Sequence, residues 1–546
     1  MTDLMFASRR SPVLARRGMV AASQPLAAQA GLEALRLGGT AADAAVATAA
    51  ALNVTEPVST GIGGDCFGLY YEAATGAVTA LNGSGRAPGG LTLEAARRAA
   101  DGAGALPVRH AHTVTVPGAC AGWCDLAARH GRLPLAVSLG PAIELAEAGF
   151  PVAPLTAFYW QRGAEQVLRS APGGSALTVG GRGPRAGEVF RNPGLGRTLR
   201  AVAEGGAEAF YRGAIAEAIA ARVQAAGGVL SVEDLAAHVS TWEVAISTVY
   251  RGLRVWECPP NGQGLTALLA LNVLAGFEVG GRGPLSVERW HLLIEALRIA
   301  FADARWYVAD PRAVAVPTAG LLAEEYAVER RRWFDPRRAS LDVRRGAPLG
   351  GGGTVYLCAV DGEGNACSFI NSNYMGFGTG MVPGEGEANW GFSLQNRGHN
   401  FSLEAGHPNV LAPGKRPYHT IIPGLLTHAA DGSLYGPFGV MGAFMQPQGH
   451  VQVVVGLADD GLEPQAALDR LRFCIEDGTA GGAVAMEAGL PAELAAGLRA
   501  LGHPLRGEVS GWARAMFGRG QIIRRGADGV LWGGSDPRAD GAVAGW

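Results

Sequence analysis

Apolar residues recur at helical spacing over much of the chain before residue 346. Leu and Ala at positions i, i+3 and i+4 predict a helix over 25–39 that stops at a glycine pair, and a second helix directly after it over 39–54. Two β-rich runs around a turn at Gly76 predict a hairpin over 67–81. Further helices are predicted over 119–131, 141–150, 212–228 and 288–308.

Strands dominate the pattern from Thr354 onward. Apolar runs there predict strands over 355–360, 366–370, 416–427 and 434–442, and helices near 449–457 and 463–472. Early helices, a hairpin that begins at a threonine, and then more strands and helices are typical of sheets covered by helix layers. The pattern therefore predicts an α/β (α+β) fold.

The composition predicts a large core and no surface for polyanions. Of the 546 residues, 48% are hydrophobic and 17% charged, which is below the usual share of charged residues. The net charge is -2, and the one basic cluster, 329–346, is typical of a solvated helix end. We therefore expect a soluble globular protein that acts on a small molecule, with neither nucleic acid nor membrane as a partner.

Targeting signals and cysteine pairs are not evident in the sequence. The N-terminal residues carry arginines but no uninterrupted apolar segment of about 7–15 residues before a cleavage site. No run approaches the roughly 18 apolar residues that span a bilayer. The seven cysteines form no CxxC, and Cys120 and Cys124 are typical of small buried thiols on a helix. These features predict a cytoplasmic protein.

Nucleotide, metal and serine-hydrolase motifs fail in this chain. In 61-GIGGDCFG-68 the third glycine of a dinucleotide loop would fall on Cys66, and a strand follows where a helix is needed. GxxxxGK[ST], HExxH and GxSxG do not occur. The pair 110-HAH-112 is more typical of a strand or loop without function than of a metal site. We expect no cofactor and no metal.

Four glycines precede the threonine that opens the first C-terminal strand, in 350-GGGGT-354. Glycine tolerates strained backbone angles, and a β-hydroxyl beside a distorted peptide can attack the preceding carbonyl to give an ester that water cuts. The product begins with threonine, whose hydroxyl is a nucleophile and whose α-amine, with a pKa of about 8, is a base. By itself the stretch is more typical of an ordinary strand start.

Further stretches recur in one order along the whole chain. They are 37-LGGTAADAAVATAAALNVTEPVSTGIGGD-65, 115-TVPGACAGWCDLAARHGRLP-134, 141-PAIELAEAGFPV-152, 206-GAEAFYRGAIAEAIA-220, 227-GGVLSVEDLAAH-238, 250-YRGLRVWECPPNGQG-264, 295-EALRIAFADARWYVADP-311, 354-TVYLCAVDGEGNA-366, 376-GFGTG-380, 414-GKRP-417 and 535-SDPR-538. On these stretches the chain resembles the γ-glutamyltranspeptidase family of N-terminal-nucleophile hydrolases from about Gly18 to Trp546.

The resemblance implies a self-processing enzyme. Thr354 matches the family's processing-site threonine, so it would be both the autocleavage residue and the nucleophile. Cleavage after Gly353 would give a large, helix-rich subunit of residues 1–353 and a small subunit of residues 354–546 from one precursor. The two would jointly build the family's four-layer αββα sandwich, and a dimer of such heterodimers stays open.

The resemblance also implies the neighbours of the nucleophile. Asn371 and Asn373 fall near the family's Thr-x-Asn, which steadies the nucleophile and its amine, although an extra residue before 377-FGTG-380 leaves the register open. Gly442 and Ala443 match the family's Gly-Gly oxyanion hole. Alanine can serve there because backbone N–H groups do that work.

Departures from the γ-glutamyl enzymes fall where the family binds substrate. The arginine that grips the substrate's α-carboxylate is replaced by Ser84, and Arg86 comes two residues later. In 395-QNRGHN-400, which aligns with a stretch that takes the α-amino group, a Gln becomes Arg397 and an Asp becomes Asn400. Losing the carboxylate and adding a guanidinium would remove the ion pair with an ammonium and add repulsion.

These departures imply another acyl group, one that bears a carboxylate and no α-ammonium. The paired serines after KRP become His419 and Thr420, which we expect to bind substrate together with Arg397, Asn400 and Arg86. An arginine fork suits both oxygens of a carboxylate, although a structural role for Arg86 is equally open. LQNRG and MGAFMQPQGH resemble the branch of the family that contains oxamate amidohydrolase.

Three alternatives stay open at this point. A genuine γ-glutamyltransferase or glutathione hydrolase would act on γ-glutamyl donors. A glutaryl acylase of the cephalosporin type would also bind a carboxylate without an amine. From a different class, the chain could be an unprocessed scaffold that binds a ligand without turnover.

Overall fold

Two antiparallel sheets of seven strands each face one another in the part of the chain that the structure describes. The structure, a computed structural model, describes residues 10–343 and 353–546. In spatial order the first sheet contains the strands Ala542–Gly545, Met19–Ala22, Gly353–Val360, Ala366–Tyr374, Asp65–Glu72, Ala77–Gly83 and Thr241–Val244. The second contains Val13–Ala15, Leu531–Ser535, Arg519–Arg525, Leu434–Met441, Gly424–His428, Leu253–Glu257 and Ile246–Tyr250.

Helices cover the outer face of each sheet. Pro25–Arg36 and Ala41–Thr55 pack on the first sheet, and Gly264–Ala275 and Met445–Ala458 pack on the second. The inner faces of the two sheets contact each other directly. These layers confirm the expected αββα sandwich.

The other described elements surround this sandwich. The remaining helices are Leu93–Ala100, Ala119–His130, Leu135–Ala148, Pro154–Gly163, Pro193–Tyr211, Ala214–Ala225, Val232–Ala236, Val287–Tyr307, Thr318–Leu321, Glu324–Arg331, Pro464–Asp469 and Ala492–Ala500. Two small sheets are formed by Phe473–Ile475 with Val484–Glu487 and Leu505–Val509, and by Phe150–Pro151 with Val189–Phe190.

The helix Ala41–Thr55 supports the sheet from behind and is buried along its whole length. Its small side chains allow close approach to the strand Gly353–Val360, on which Thr354 lies. A capping box fixes its start, because Asp43 N–H donates to Thr40 Oγ1 while Asp43 Oδ2 accepts from Thr40 N–H at 2.8 Å. The predicted buried helix is therefore confirmed.

Most of the predicted elements are confirmed, including the hairpin over 67–81. The predicted strand over 416–427 is wrong in its first part, because only Gly424–His428 is a strand. Polar side chains hold the preceding residues in irregular backbone: Asn261 Nδ2 donates to Pro417 O, and Gln446 Oε1 accepts from Ile422 N–H. These irregular residues border the site described below.

Two shorter expectations also change. The predicted helix over 463–472 ends earlier, at Asp469. In 110-HAH-112, His112 lies in a single 3-10 turn, Ala111–Thr113, and His110 caps the start of that turn. No helix among the described residues is long and apolar enough to cross a membrane.

The peptide between residues 353 and 354 lies on an interior strand of the first sheet. The strand Gly353–Val360 pairs with Met19–Ala22 on one side and with Ala366–Tyr374 on the other. Strands from before and after this peptide therefore pair with one another within one sheet. The glycines at 350–352 lie outside the described residues.

Candidate active site

Thr354 is the second residue of its strand and is 1% exposed. Its Oγ1 lies 3.1 Å from Ser372 Oγ on the neighbouring strand. It also accepts a hydrogen bond from Gln446 Nε2 at 3.4 Å, from the first turn of the helix Met445–Ala458. A strand of the first sheet and a helix of the second layer therefore converge on this one hydroxyl.

Strand alternation decides which neighbour reaches Thr354. Side chains at 371 and 373 point to the opposite face from the side chain at 372. Asn371 Oδ1 accepts from Trp123 Nε1 at 3.0 Å, and Asn373 Nδ2 donates to Ser393 Oγ at 3.2 Å. The structure therefore brings Ser372, not Asn371 or Asn373, to the Thr354 hydroxyl. Sequence reasoning missed Ser372, although a hydroxyl residue opens the family's Thr-x-Asn.

Arg397 lies directly behind Ser372 and is fully buried. Its Nη2 donates to Ser372 Oγ at 3.3 Å and its Nη1 to Thr420 Oγ1 at 2.7 Å. Burial lowers the pKa of Arg397 to about 10, so the side chain stays a cation at neutral pH. A guanidinium has five N–H donors, and the Nε donor has no hydrogen-bond acceptor among the described residues. The Ser372 hydroxyl therefore links the Arg397 cation to the Thr354 hydroxyl.

Asp65 is the carboxylate that faces Arg397. Asp65 Oδ2 lies 3.9 Å from Arg397 Nε and accepts from His419 Nε2 at 3.0 Å, while Oδ1 accepts from Gly85 N–H at 2.9 Å. Burial raises the pKa of Asp65 to about 6, partly offset by the charge of Arg397. Asp65 is a second residue that sequence reasoning missed, and it ends the quoted stretch GIGGD.

His419 is a neutral support for Asp65. Its Nδ1 accepts from Ile421 N–H at 3.4 Å, which places the ring proton on Nε2, the atom that donates to Asp65. Burial, followed by the charge of Arg397, lowers the pKa of His419 well below its usual value. Of the predicted pair His419 and Thr420, Thr420 contacts Arg397 and His419 contacts Asp65.

Asn400 does not reach Arg397 in this structure. Its Nδ2 donates to Tyr418 O at 3.1 Å, and it lines a cavity of about 510 Å³ together with Tyr418, Arg305 and Arg97. The guanidinium of Arg305 lies 3.6 Å from the ring centroid of Phe444, the residue after Ala443. The cavity therefore adjoins the turn expected to hold the oxyanion.

Arg86 points away from this cluster. Its Nη1 lies 3.6 Å from Asp310 Oδ2, and the side chain is 22% exposed. Ser84 is fully buried, and its Oγ donates to Asn82 Oδ1 at 2.8 Å. Among the described contacts, neither residue touches Arg397 or Thr354.

Gly442 and Ala443 form the turn between a central strand and the helix Met445–Ala458. Their φ angles are 141° and 49°, both in the region that favours glycine. Gln263 Nε2 holds the turn by donating to Ala443 O at 2.8 Å. Within the described chain, neither backbone N–H has a hydrogen-bond acceptor. Two free N–H groups at a helix N-terminus beside a buried hydroxyl can stabilise an oxyanion.

One buried cluster has side chains of metal-ligating type. His291, Glu295 and His503 place one ligand atom each within 4.8 Å of one another. Some of their polar atoms have protein partners: His291 Nδ1 bonds to His503 Nε2 at 2.7 Å, and Glu295 Oε2 accepts from Ser340 N–H at 2.9 Å. Glu295 Oε1 and His503 Nδ1 have no hydrogen-bond partner among the described residues. None of these partners belongs to the cluster around Thr354.

Comparisons with known proteins identify the family of this chain. The family model described as Gamma-glutamyltranspeptidase matches residues 27–546. The chain is 34% identical to the glutathione hydrolase-like YwrD proenzyme of Bacillus subtilis (strain 168), covering 98% of this chain and 99% of that protein. It is also 34% identical to the oxamate amidohydrolase proenzyme of Klebsiella pneumoniae, covering 97% and 98% of the two chains.

The solved structures include one with high similarity. The crystal structure of cephalosporin acylase from Bacillus halodurans is 48% identical and superimposes with a TM-score of 0.90, over 100% of this chain and 99% of that one. The sequence pattern, the αββα sandwich and these matches lead to one conclusion: the chain belongs to the γ-glutamyltranspeptidase family.

Proposed function

We propose that the protein is a self-processing threonine amidase that hydrolyses an amide whose short acyl group ends in a carboxylate, as in oxamate. Family membership makes the chain an enzyme, which removes the alternative of a scaffold without turnover. The observation that carries the substrate proposal is the buried cation of Arg397, which shares Ser372 Oγ with the Thr354 hydroxyl.

Processing begins with attack of Thr354 Oγ1 on the carbonyl of Gly353. The backbone nitrogen of Thr354 leaves as the ester forms, and water then cuts the ester to give a carboxylate at Gly353 and a free α-amine at Thr354. The products are the large subunit 1–353 and the small subunit 354–546. The proenzyme names of the two relatives support this step.

Turnover uses the same hydroxyl. Thr354 Oγ1 attacks the substrate carbonyl while its own α-amine takes the proton and passes it to the leaving amine. The N–H groups of Gly442 and Ala443 stabilise the oxyanion, and Ser372 and Gln446 orient the hydroxyl. Water then hydrolyses the acyl ester and frees the acid. Asn371 and Asn373 support this strand from its other face.

The geometry favours a short acyl group. Hydrogen bonds of 3.3 Å and 3.1 Å meet at Ser372 Oγ, so Arg397 Nη2 lies no more than about 6.4 Å from Thr354 Oγ1. A carboxylate on Arg397 must therefore be close to the carbonyl that Thr354 attacks. This proximity favours short acyl groups such as oxalyl and malonyl.

A γ-glutamyl donor fits this cluster less well. Its ammonium would need a carboxylate partner, but Asp65 already accepts from His419 and faces Arg397. Asn400 offers only an amide in place of a carboxylate. The charge of Arg397 would repel the ammonium.

A cephalosporin-type acylase is the second candidate. The 48% identity to such an enzyme over the whole chain favours it, and so does the cavity of about 510 Å³, which has room for a bulky leaving group. A panel of oxamate, a glutaryl amide and γ-glutamyl anilide, given to the processed protein, separates the candidates. Preference for oxamate supports the proposal, and clear γ-glutamyl transfer to a dipeptide contradicts it.

A further inference from the structure

Tyr374 combines three unfavourable features at the end of the strand that carries Ser372. Its φ is 74°, a left-handed conformation that a bulky residue rarely adopts. It is 1% exposed, and its hydroxyl has no hydrogen-bond partner among the described residues. Backbone strain and unpaired buried polar groups are costly, and they concentrate at sites that bind ligands.

The position of Tyr374 relates it to the nucleophile. It lies two residues after Ser372, and both side chains contact Arg397: Ser372 Oγ accepts from Arg397 Nη2 at 3.3 Å, and the Tyr374 ring packs against the guanidinium. The Tyr374 backbone N–H donates to Ser372 Oγ at 2.9 Å. Tyr374 also pairs with Gly353 across the two strands, next to Thr354. The strained residue is thus tied to the hydroxyl that contacts the nucleophile.

One arginine packs against the Tyr374 ring, and a second acts on its hydroxyl. The Arg397 guanidinium carbon lies 4.4 Å from the ring centroid. Arg305 and Tyr418, which line the cavity of about 510 Å³, are near enough to act on the Tyr374 hydroxyl. Burial raises the pKa of Tyr374 to about 12, so the hydroxyl stays protonated and can donate. An environment with two arginines and a donor hydroxyl suits an anion.

We propose that the Tyr374 hydroxyl donates a hydrogen bond to the acyl carboxylate held by Arg397 and so determines specificity for acids over neutral acyl groups. This inference rests on the proposed function. A carboxylate accepts several hydrogen bonds at once, so it can take both the Tyr374 hydroxyl and a guanidinium N–H that has no acceptor among the described residues. The strain at Tyr374 then places a donor that an unstrained strand end would not supply.

The test compares two substrates that differ only in the carboxylate. Oxalyl p-nitroanilide and acetyl p-nitroanilide release the same coloured amine, and their ratio of kcat/KM is independent of the amount of folded enzyme. Tyr374→Phe removes the hydroxyl and keeps the ring over Arg397. We expect this ratio to fall by about 10- to 100-fold, with processing into two subunits unchanged.

Tyr356→Phe is the matched control. Tyr356 is also fully buried, on the adjacent strand, but its hydroxyl bonds to Ser368 Oγ at 2.8 Å. The Tyr356→Phe variant should be less stable than the wild type, but its ratio of kcat/KM for the two substrates should not change. An unchanged ratio in Tyr374→Phe, with a selective wild type, overturns the Tyr374 assignment alone. A wild type that does not prefer the oxalyl substrate overturns both the proposed function and this inference.

Discussion

Arg397 supplies a positive charge that faces Asp65 and a planar guanidinium that donates several hydrogen bonds. Replacing it by lysine keeps the charge and removes the planar group. Lysine keeps the positive charge facing Asp65 and so avoids leaving a buried carboxylate unpaired, which costs roughly 3–5 kcal/mol. It cannot reproduce the planar fork. The fork donates to Ser372 and Thr420 at 3.3 Å and 2.7 Å, so a lysine that retains these contacts loses its donor to the substrate.

The magnitude follows from the contact that is lost. A hydrogen bond to a charged group contributes about 1.5–3 kcal/mol. Arg397→Lys should therefore lower kcat/KM for oxalyl p-nitroanilide by roughly 10- to 150-fold. Turnover of acetyl p-nitroanilide should change by less than about threefold, because that acyl group has no carboxylate to bind.

Arg472→Lys is the control for the loss of a buried guanidinium elsewhere in the protein. Arg472 is 1% exposed and pairs with Asp536 at 2.9 Å, without a described contact to the Thr354 cluster. It should lower the melting temperature and leave the ratio of the two substrates unchanged. If Arg397→Lys lowers both substrates equally, Arg397 acts through Ser372 and the nucleophile, and the carboxylate-binding argument is refuted.

Three further predictions test other parts of the site. Ser372→Ala should slow both processing and turnover by about 10- to 100-fold, measured by gel time courses and kcat, whereas Ser372→Thr should restore most of each; normal rates in Ser372→Ala would contradict the contact with Thr354. The double substitution Arg397→Gln with Asn400→Asp removes the cation and adds a carboxylate, so γ-glutamyl anilide turnover should rise at least tenfold while oxalyl turnover falls; no gain would reject the charge argument. Burial raises the pKa of Asp65 to about 6 from an ordinary value near 3.9. Between these pH values the folded state therefore binds more protons than the unfolded state. The contribution of Asp65 to the free energy of unfolding decreases as pH rises from about 4 to 6. Denaturant unfolding at pH 4, 5 and 6 should show this slope in the wild type and not in Asp65→Asn; parallel curves would contradict it.

The sequence predicts the layers of this fold well, because periodicity reports on which faces are buried. The Ala-rich helix Ala41–Thr55 and the hairpin around Gly76 follow directly from spacing and turn residues. The predicted strand is wrong over residues 416–423, because their apolar side chains follow a pattern that is typical of strands. Their backbone instead bonds to side chains from distant segments, which a local pattern does not encode.

The sequence likewise predicts only some residues of the candidate site. Thr354 is marked by its glycines and by the family pattern, but the residue that contacts it depends on strand register. A shift of one position exchanges Ser372 for Asn371 or Asn373, and an extra residue nearby hides the correct register in the sequence. Asp65 and His419 meet across 354 positions of chain, so only the fold brings that carboxylate to Arg397.

The central claim is that Thr354 cuts the chain before it acts on substrate. Intact-mass measurement of the purified protein, with N-terminal sequencing, tests this directly. We expect two pieces from the 56.2 kDa chain, the smaller beginning at Thr354, and one uncut, inactive chain from Thr354→Ala. Cleavage between residues 353 and 354 in Thr354→Ala, or full activity from an uncut wild-type chain, would contradict the account.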